Sequence, residues 1–102
     1  MIVYNVTCNV ENPMANEWLE WMKTVHIPEV MATGCFVENK ILKLHNPETD
    51  DEGINYAIQY TCDSIETLER YRSEFGPGLQ AKTLEKYGNK VLAYRSVLEI
   101  IE

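Results

Sequence analysis

The sequence predicts an α+β fold with the element order β-α-β-β-α-β, and three observations carry it. Residues 2–10 and 54–62 both alternate apolar and polar side chains, the period of a half-buried strand. Between them, Trp18, Trp21, Met22 and Val25 recur at the spacing of one helical stripe. After the second alternating stretch, Ile65, Leu68, Tyr71 and Phe75 form another such stripe.

The first strand places Ile2, Tyr4, Val6, Cys8 and Val10 on one face and Val3, Asn5, Thr7 and Asn9 on the other. Glu11-Asn12-Pro13 turns the chain, with Asn12 or Asn16 available as a cap and Pro13 suited to a first turn. Both tryptophans of the chain lie in the helix that follows, and each can bury about 150–250 Å². Pro28 removes a backbone donor, so this helix is expected to stop or kink near His26, with a short turn over Glu29–Thr33 closed by Gly34.

Residues 35–44 read as a second strand, and His45–Gly53 as a polar, acidic loop. The third strand turns Ile54, Tyr56, Ile58, Tyr60 and Cys62 one way and Asn55, Ala57, Gln59 and Thr61 the other. Asp63 or Ser64 caps the second helix, along which Glu66 and Arg70 are spaced for an i,i+4 pair. Gly76-Pro77-Gly78 interrupts it, and a short helix over Leu79–Tyr87 faces Leu79, Thr83, Leu84 and Tyr87 inward before Gly88. Residues 90–101 form the last strand. This order is the ferredoxin-like, split βαβ arrangement: a four-stranded antiparallel sheet with its helices on one face.

At 102 residues the chain is expected to be one domain, residues 1–102. A formal net charge of −7 argues against nucleic acid and anionic membrane surfaces as partners. No apolar run approaches the roughly 20 residues of a membrane span. Three widely spaced cysteines without a Cys-x-x-Cys motif predict neither a zinc site nor a disulfide framework. With no basic leader at Met1-Ile-Val-Tyr, they point to a cytoplasmic protein.

No complete catalytic motif is present, so the sequence leaves open whether the protein is an enzyme. His26 reads either as a cap on the carbonyls freed by Pro28 or as a proton-transfer group at a cleft edge. Trp18 and Trp21 read as core packing or as the wall of a binding site. The face of the sheet away from the helices is expected to carry Asn5, Thr7, Asn9, Ala57, Gln59 and Thr61, with Arg95 and Glu99 from the last strand and Lys43 from the second. Such a mixed face suits two sheets meeting across a wet gap, hence a homodimer with a small-molecule pocket. Asn5, Gln59, Arg95 and Trp21 are its candidate ligand contacts and Arg95 its anion holder.

Met-Ile-Val-Tyr-Asn-Val-Thr, Glu-Trp-Leu-Glu-Trp-Met with His-Ile-Pro-Glu-Val, Tyr-Ala-Ile-Gln-Tyr and Leu-Glu-Arg-Tyr together resemble a small bacterial family of unknown function. That family is similar to the dimeric α+β barrels, which include EthD-like proteins, antibiotic-biosynthesis-type and haem-degrading monooxygenases, and muconolactone-isomerase-like enzymes. The resemblance implies a dimeric barrel and small-molecule chemistry of a cofactor-free oxidative or isomerising kind. A non-enzymatic dimerisation or regulatory module is the alternative. Trp21, His26 and Pro28 are similar to the EthD-like pattern with one residue more between Trp and His, which on a regular α-helix turns the pair by about 100°. Asn5 is similar to the first-strand Asn of the haem-degrading members, but the second helix has neither their Trp nor their His, so no cofactor is expected.

Overall fold

Alternation over Ile2–Val10 and Ile54–Cys62 builds the two central strands, β1 and β3. They pair antiparallel along their whole length, with Tyr4 opposite Tyr60 and Cys8 opposite Tyr56. The structure, a computed structural model, describes residues 1–45 and 53–102. The loop expected between His45 and Gly53 therefore lies largely outside the described residues. β2 (Glu38–Lys43) flanks β3 and β4 (Val91–Glu99) flanks β1, giving the order β2-β3-β1-β4. All three pairings are antiparallel. The expected four-stranded α+β sheet with helices on one face is the observed fold, with β2 and β4 trimmed at their ends.

Near His26, where a stop or a kink is expected, the first helical arm becomes irregular. It does not stop before Pro28. Instead α1 (Ala15–Trp21) runs through a π-helical turn, Met22–His26, into α2 (Ile27–Ala32). The Ile27 N–H reaches back five residues to the Met22 carbonyl. In a regular α-helix the Pro28 ring would collide with the carbonyl of Thr24. Widening the turn moves that carbonyl aside, so the arm passes the proline intact. It also inserts one residue into the helical phase. Trp18 and Met22 are buried as expected, but Val25 turns out to 39% exposure and Ile27 and Val30 take over the inner stripe. The arm ends as expected at Gly34, whose φ of +78° suits glycine and whose N–H donates to the Met31 carbonyl at 3.1 Å.

α3 (Ile65–Glu74) starts at Ser64, whose hydroxyl accepts from the Thr67 N–H at 3.2 Å. Leu68 and Tyr71 face the core, while Ile65 lies at the surface. Arg70 pairs with Glu74 at 3.8 Å and donates to the Cys35 thiol at 3.4 Å, rather than meeting Glu66. α4 (Gly76–Tyr87) begins three residues earlier than Leu79, because Gly-Pro-Gly forms its first turn. Its Leu84 is exposed, and Tyr87 supplies the inner contact instead.

The core lies between the sheet and the helices. Phe36 sits with Tyr4, Tyr60 and Tyr71 at ring separations of 4.9–6.3 Å, and Trp18 packs on Tyr56 at 5.1 Å. A salt bridge of 2.7 Å from Lys82 to Glu29 ties α4 to α2. Gly53 enters β3 with φ +114°, and a Cβ there would stand 2.8 Å from the Asn9 amide oxygen and 2.9 Å from the Val10 carbonyl.

Two stability measurements by chemical denaturation check this arrangement. Val25→Ala shifts stability by no more than about 0.5 kcal/mol, because the π turn faces it outward, whereas Ile27→Ala costs about 2–5 kcal/mol. The reverse ranking would mean a regular α-helical phase. Gly53→Ala destabilises by about 1–3 kcal/mol through backbone strain and the clash with β1, and more than Gly34→Ala, whose Cβ would meet open space.

Candidate functional site

Register decides which side chains meet the helices. Val6 opposes Arg95, Cys8 opposes Ala93 and Val10 opposes Val91. Because Val6, Cys8 and Val10 face the helices, so do Val91, Ala93, Arg95, Val97 and Glu99. The expected placement of Arg95 and Glu99 on the opposite face is thereby corrected. Lys43 is corrected likewise, since it opposes the inward Tyr56, and Lys40 and Leu42 of β2 face outward instead. β4 is an edge strand with apolar residues on both faces, so its periodicity alone does not say which face is inside.

A cavity of about 70 Å³ opens between the helices and the sheet. Val6 and Cys8 of β1, Tyr60 of β3, Trp18 and His26 of the first arm, Tyr71 of α3, Leu79 and Thr83 of α4 and Arg95 of β4 are among its lining residues. Two of the proposed site residues, His26 and Arg95, thus come to one place from opposite ends of the chain. Trp21 joins them indirectly. Its ring stacks on the His26 imidazole at 5.3 Å and 25°, and meets Tyr87 edge-on at 5.6 Å. The π turn explains this contact: i→i+5 bonding brings residues five apart into line.

Asn5 and Gln59 lie elsewhere. They face each other across β1 and β3 on the side away from the helices, and the Gln59 amide donates to the Asn5 oxygen at 3.3 Å. The Asn5 amide in turn donates to the Thr7 hydroxyl at 3.0 Å, and Asn9 donates to Asn55 at 3.0 Å. These amides form a polar strip down the middle of the outer face. Apolar side chains of β4 flank it, with Leu92 62% and Tyr94 66% exposed.

The cavity's electrostatics follow from burial around one cation. Burial lowers the His26 pKa, with the charges of Arg95 and Lys82 adding to it and Glu29 opposing, so the imidazole is neutral at pH 7. Burial pushes the Cys8 thiol up to about 11 and the Tyr71 phenol up to about 12, against the pull of Arg95 in both cases. Burial also raises the Tyr60 pKa. These groups stay protonated at neutral pH and are hydrogen-bond donors. The Trp18 indole N–H and the His26 Nδ1, both buried, have no hydrogen-bond partner among the described residues. A neutral imidazole nitrogen beside a guanidinium can accept a proton from a bound molecule, while the cation steadies the anion that remains.

Tyr60, Tyr71 and Cys8 were legible only as core. Strand and helix periodicity places them inward, but it does not separate a side chain that fills space from one that borders a void. Among the described residues no group of three His, Cys, Asp or Glu side chains is placed to hold a metal ion, and no helix is long and apolar enough to cross a membrane.

No protein of curated function matches the chain. Solved structures share its fold, among them an EthD-family protein from Bacillus halodurans, with 17% identity, a TM-score of 0.68, and 99% of this chain and 100% of that one covered. An antibiotic-biosynthesis-monooxygenase-like protein from Deinococcus radiodurans gives 15% identity and a TM-score of 0.62, over 100% of this chain and 94% of that one. A dimeric ferredoxin-like protein from an uncultured marine organism gives 12% identity and a TM-score of 0.64, over 99% and 95%. At these identities the likeness is one of fold. The sequence profile of DUF4286, a domain of unknown function, matches residues 1–101, and the chain belongs to that family.

Proposed function

We propose that the protein is a homodimer, its two sheets face to face, and that each copy binds a small organic molecule in the cavity beneath its helices. His26 is the proton acceptor, the role that cofactor-free oxidation and isomerisation share. Arg95 holds the charged end of the ligand, and Trp21 fixes the imidazole by stacking on it. The observation that carries this reading is the meeting of His26 and Arg95 at one cavity. A packed core leaves few voids larger than a water molecule, and space for a water needs only about 10–15 Å³. A cavity of about 70 Å³ with polar groups on its wall is more than a packing defect.

The dimer rests on a separate observation. Leu92, Tyr94 and Leu98 stand exposed on the outer face beside an amide strip already hydrogen-bonded within itself. Such a surface gains from burial at about 25 cal/mol per Å² without stranding its polar groups. Two-fold pairing would cover it, and a fold relative is dimeric. In this arrangement Asn5 and Gln59 belong to the interface rather than to the ligand cavity. The same face favours the second reading, a module whose function is dimerisation alone.

Three outcomes are expected. Protein purified gently from its host carries a small-molecule adduct in native mass spectrometry; Arg95→Ala loses the adduct and keeps its circular dichroism spectrum and melting temperature. An Arg95→Ala protein with an undiminished adduct would sink the site assignment. Tyr94→Asp moves the protein from dimer to monomer in analytical ultracentrifugation, and a wild type that is already monomeric refutes the dimer. For His26 the sign follows from linkage. Its folded pKa lies below the ordinary 6.5, so the unfolded chain binds the proton first as pH falls. Stability from this group is therefore complete above about pH 6.5 and declines below it, toward the folded pKa. His26→Gln flattens that acid-side decline in urea midpoints measured from pH 7 to 5; an unchanged slope assigns the decline to other groups.

A further inference from the structure

The cavity also specifies the chemical class of its ligand. Resting on the site proposed above, we propose that it takes a small acyclic organic monoanion, a carboxylate of about three or four carbons, with its charge at Arg95 and its chain inside. Size argues first. A cavity of about 150 Å³ is known to admit a benzene ring; this one, at about 70 Å³, is half that and admits a short chain rather than an enclosed ring. Charge argues next. Arg95 lies exposed on an edge strand at the wall of the cavity and has no carboxylate partner within 4.0 Å among the described residues. Glu99, on the same face of β4 but four residues and so about 13 Å further along, does not reach it.

The remaining wall is matched to such an ion. Val6, Ile58, Leu79 and Val91 suit an apolar chain, and Tyr60 and Tyr71 supply phenol donors that burial keeps protonated. A guanidinium with neighbouring neutral donors recognises a carboxylate better than it recognises an amide of the same shape. No anionic side chain of the described residues lines the cavity. The net acidity of the whole chain resides elsewhere, so the one cationic wall is a local feature rather than a consequence of composition.

His26 reports occupancy. The charged groups acting on it are Arg95 from β4 and Lys82 from α4, which lower its pKa, and Glu29 from α2, which raises it. Tyr4 and Cys8 from β1, Tyr60 from β3 and Tyr71 from α3 complete the titratable wall, and burial keeps Cys8, Tyr60 and Tyr71 protonated at neutral pH. A carboxylate set beside Arg95 offsets its repulsion of the imidazolium. The His26 pKa must then rise on binding, and by linkage the carboxylate must bind more tightly as pH falls through that range.

The test is proton NMR titration of the two histidine rings in the full chain, with butyrate, butyramide and inorganic phosphate as probes. The expected result is a raised His26 midpoint with butyrate, an unmoved His45, binding of butyrate about tenfold or more tighter than butyramide or phosphate, and a loss of about tenfold or more in Arg95→Gln that Arg95→Lys partly restores. Equal binding of butyramide, or an Arg95→Gln protein that binds butyrate normally, overturns the anion assignment and leaves the cavity as a neutral-ligand site. Equal binding of phosphate overturns the requirement for an organic chain. Failure of both butyrate and butyramide overturns the class proposed here and, if the purified protein also carries no adduct, the ligand site itself.

Discussion

Much of the structure depends on how one helix gets past one proline. Pro28 lies within the arm that holds both tryptophans, and a proline inside a helix ordinarily kinks or ends it. Here the helix widens for a single turn over Met22–His26 and continues. The wide turn resets the phase of everything after it. Ile27 and Val30 reach the core, Val25 leaves it, and His26 stacks on Trp21 at the wall of the cavity. A π turn is a local loss of regularity that a helix keeps only where packing on both sides holds it. Trp18 on Tyr56 before the turn and buried Val30 after it supply that packing.

Around that arm the two faces of the sheet differ in character. The inner face carries the aromatic cluster of Phe36 with Tyr4, Tyr60 and Tyr71, and next to it a void that the core does not fill. The outer face carries an amide strip with its hydrogen bonds closed and an exposed apolar margin on β4. The proposed ligand site and the proposed association surface lie on opposite sides of the sheet, so substitutions at one need not alter the other. This is one physical reason why a single architecture carries unrelated functions and why fold likeness at such low identity informs on shape alone.

The candidate site was half visible beforehand. His26 stood out as an ionisable residue next to a proline, and Arg95 as a charge between apolar neighbours. Their chain positions alone put them on different parts of the molecule. Alternation alone puts the amides Asn5 and Gln59 on one face, but it does not reveal that Arg95 belongs to the other. The cause is specific to β4. A central strand buries one face, so alternation reveals which side is inside; an edge strand incompletely covered by helices tolerates Leu92, Tyr94 and Leu98 outside as well as Val91, Ala93 and Val97 inside. Pattern fixes the two sets, and only pairing with β1 orients them.

By itself the sequence determined the element order, the antiparallel four-stranded sheet, the inward faces of β1 and β3, a cap at Asp63 or Ser64 and the Gly34 and Gly88 stops. These depend on neighbours within a few residues, through side-chain period, capping hydrogen bonds and permitted φ, and local chemistry is written directly in the chain. The tertiary structure alone decided the passage of the helix beyond Pro28, the side of β4 that carries Arg95, and the meeting of Arg95 with His26. Those outcomes balance a local cost against packing by residues far away in sequence. A void in particular has no residue of its own: it is what remains when the surrounding side chains from β1, β3, β4 and the helices fail to fill the space between them.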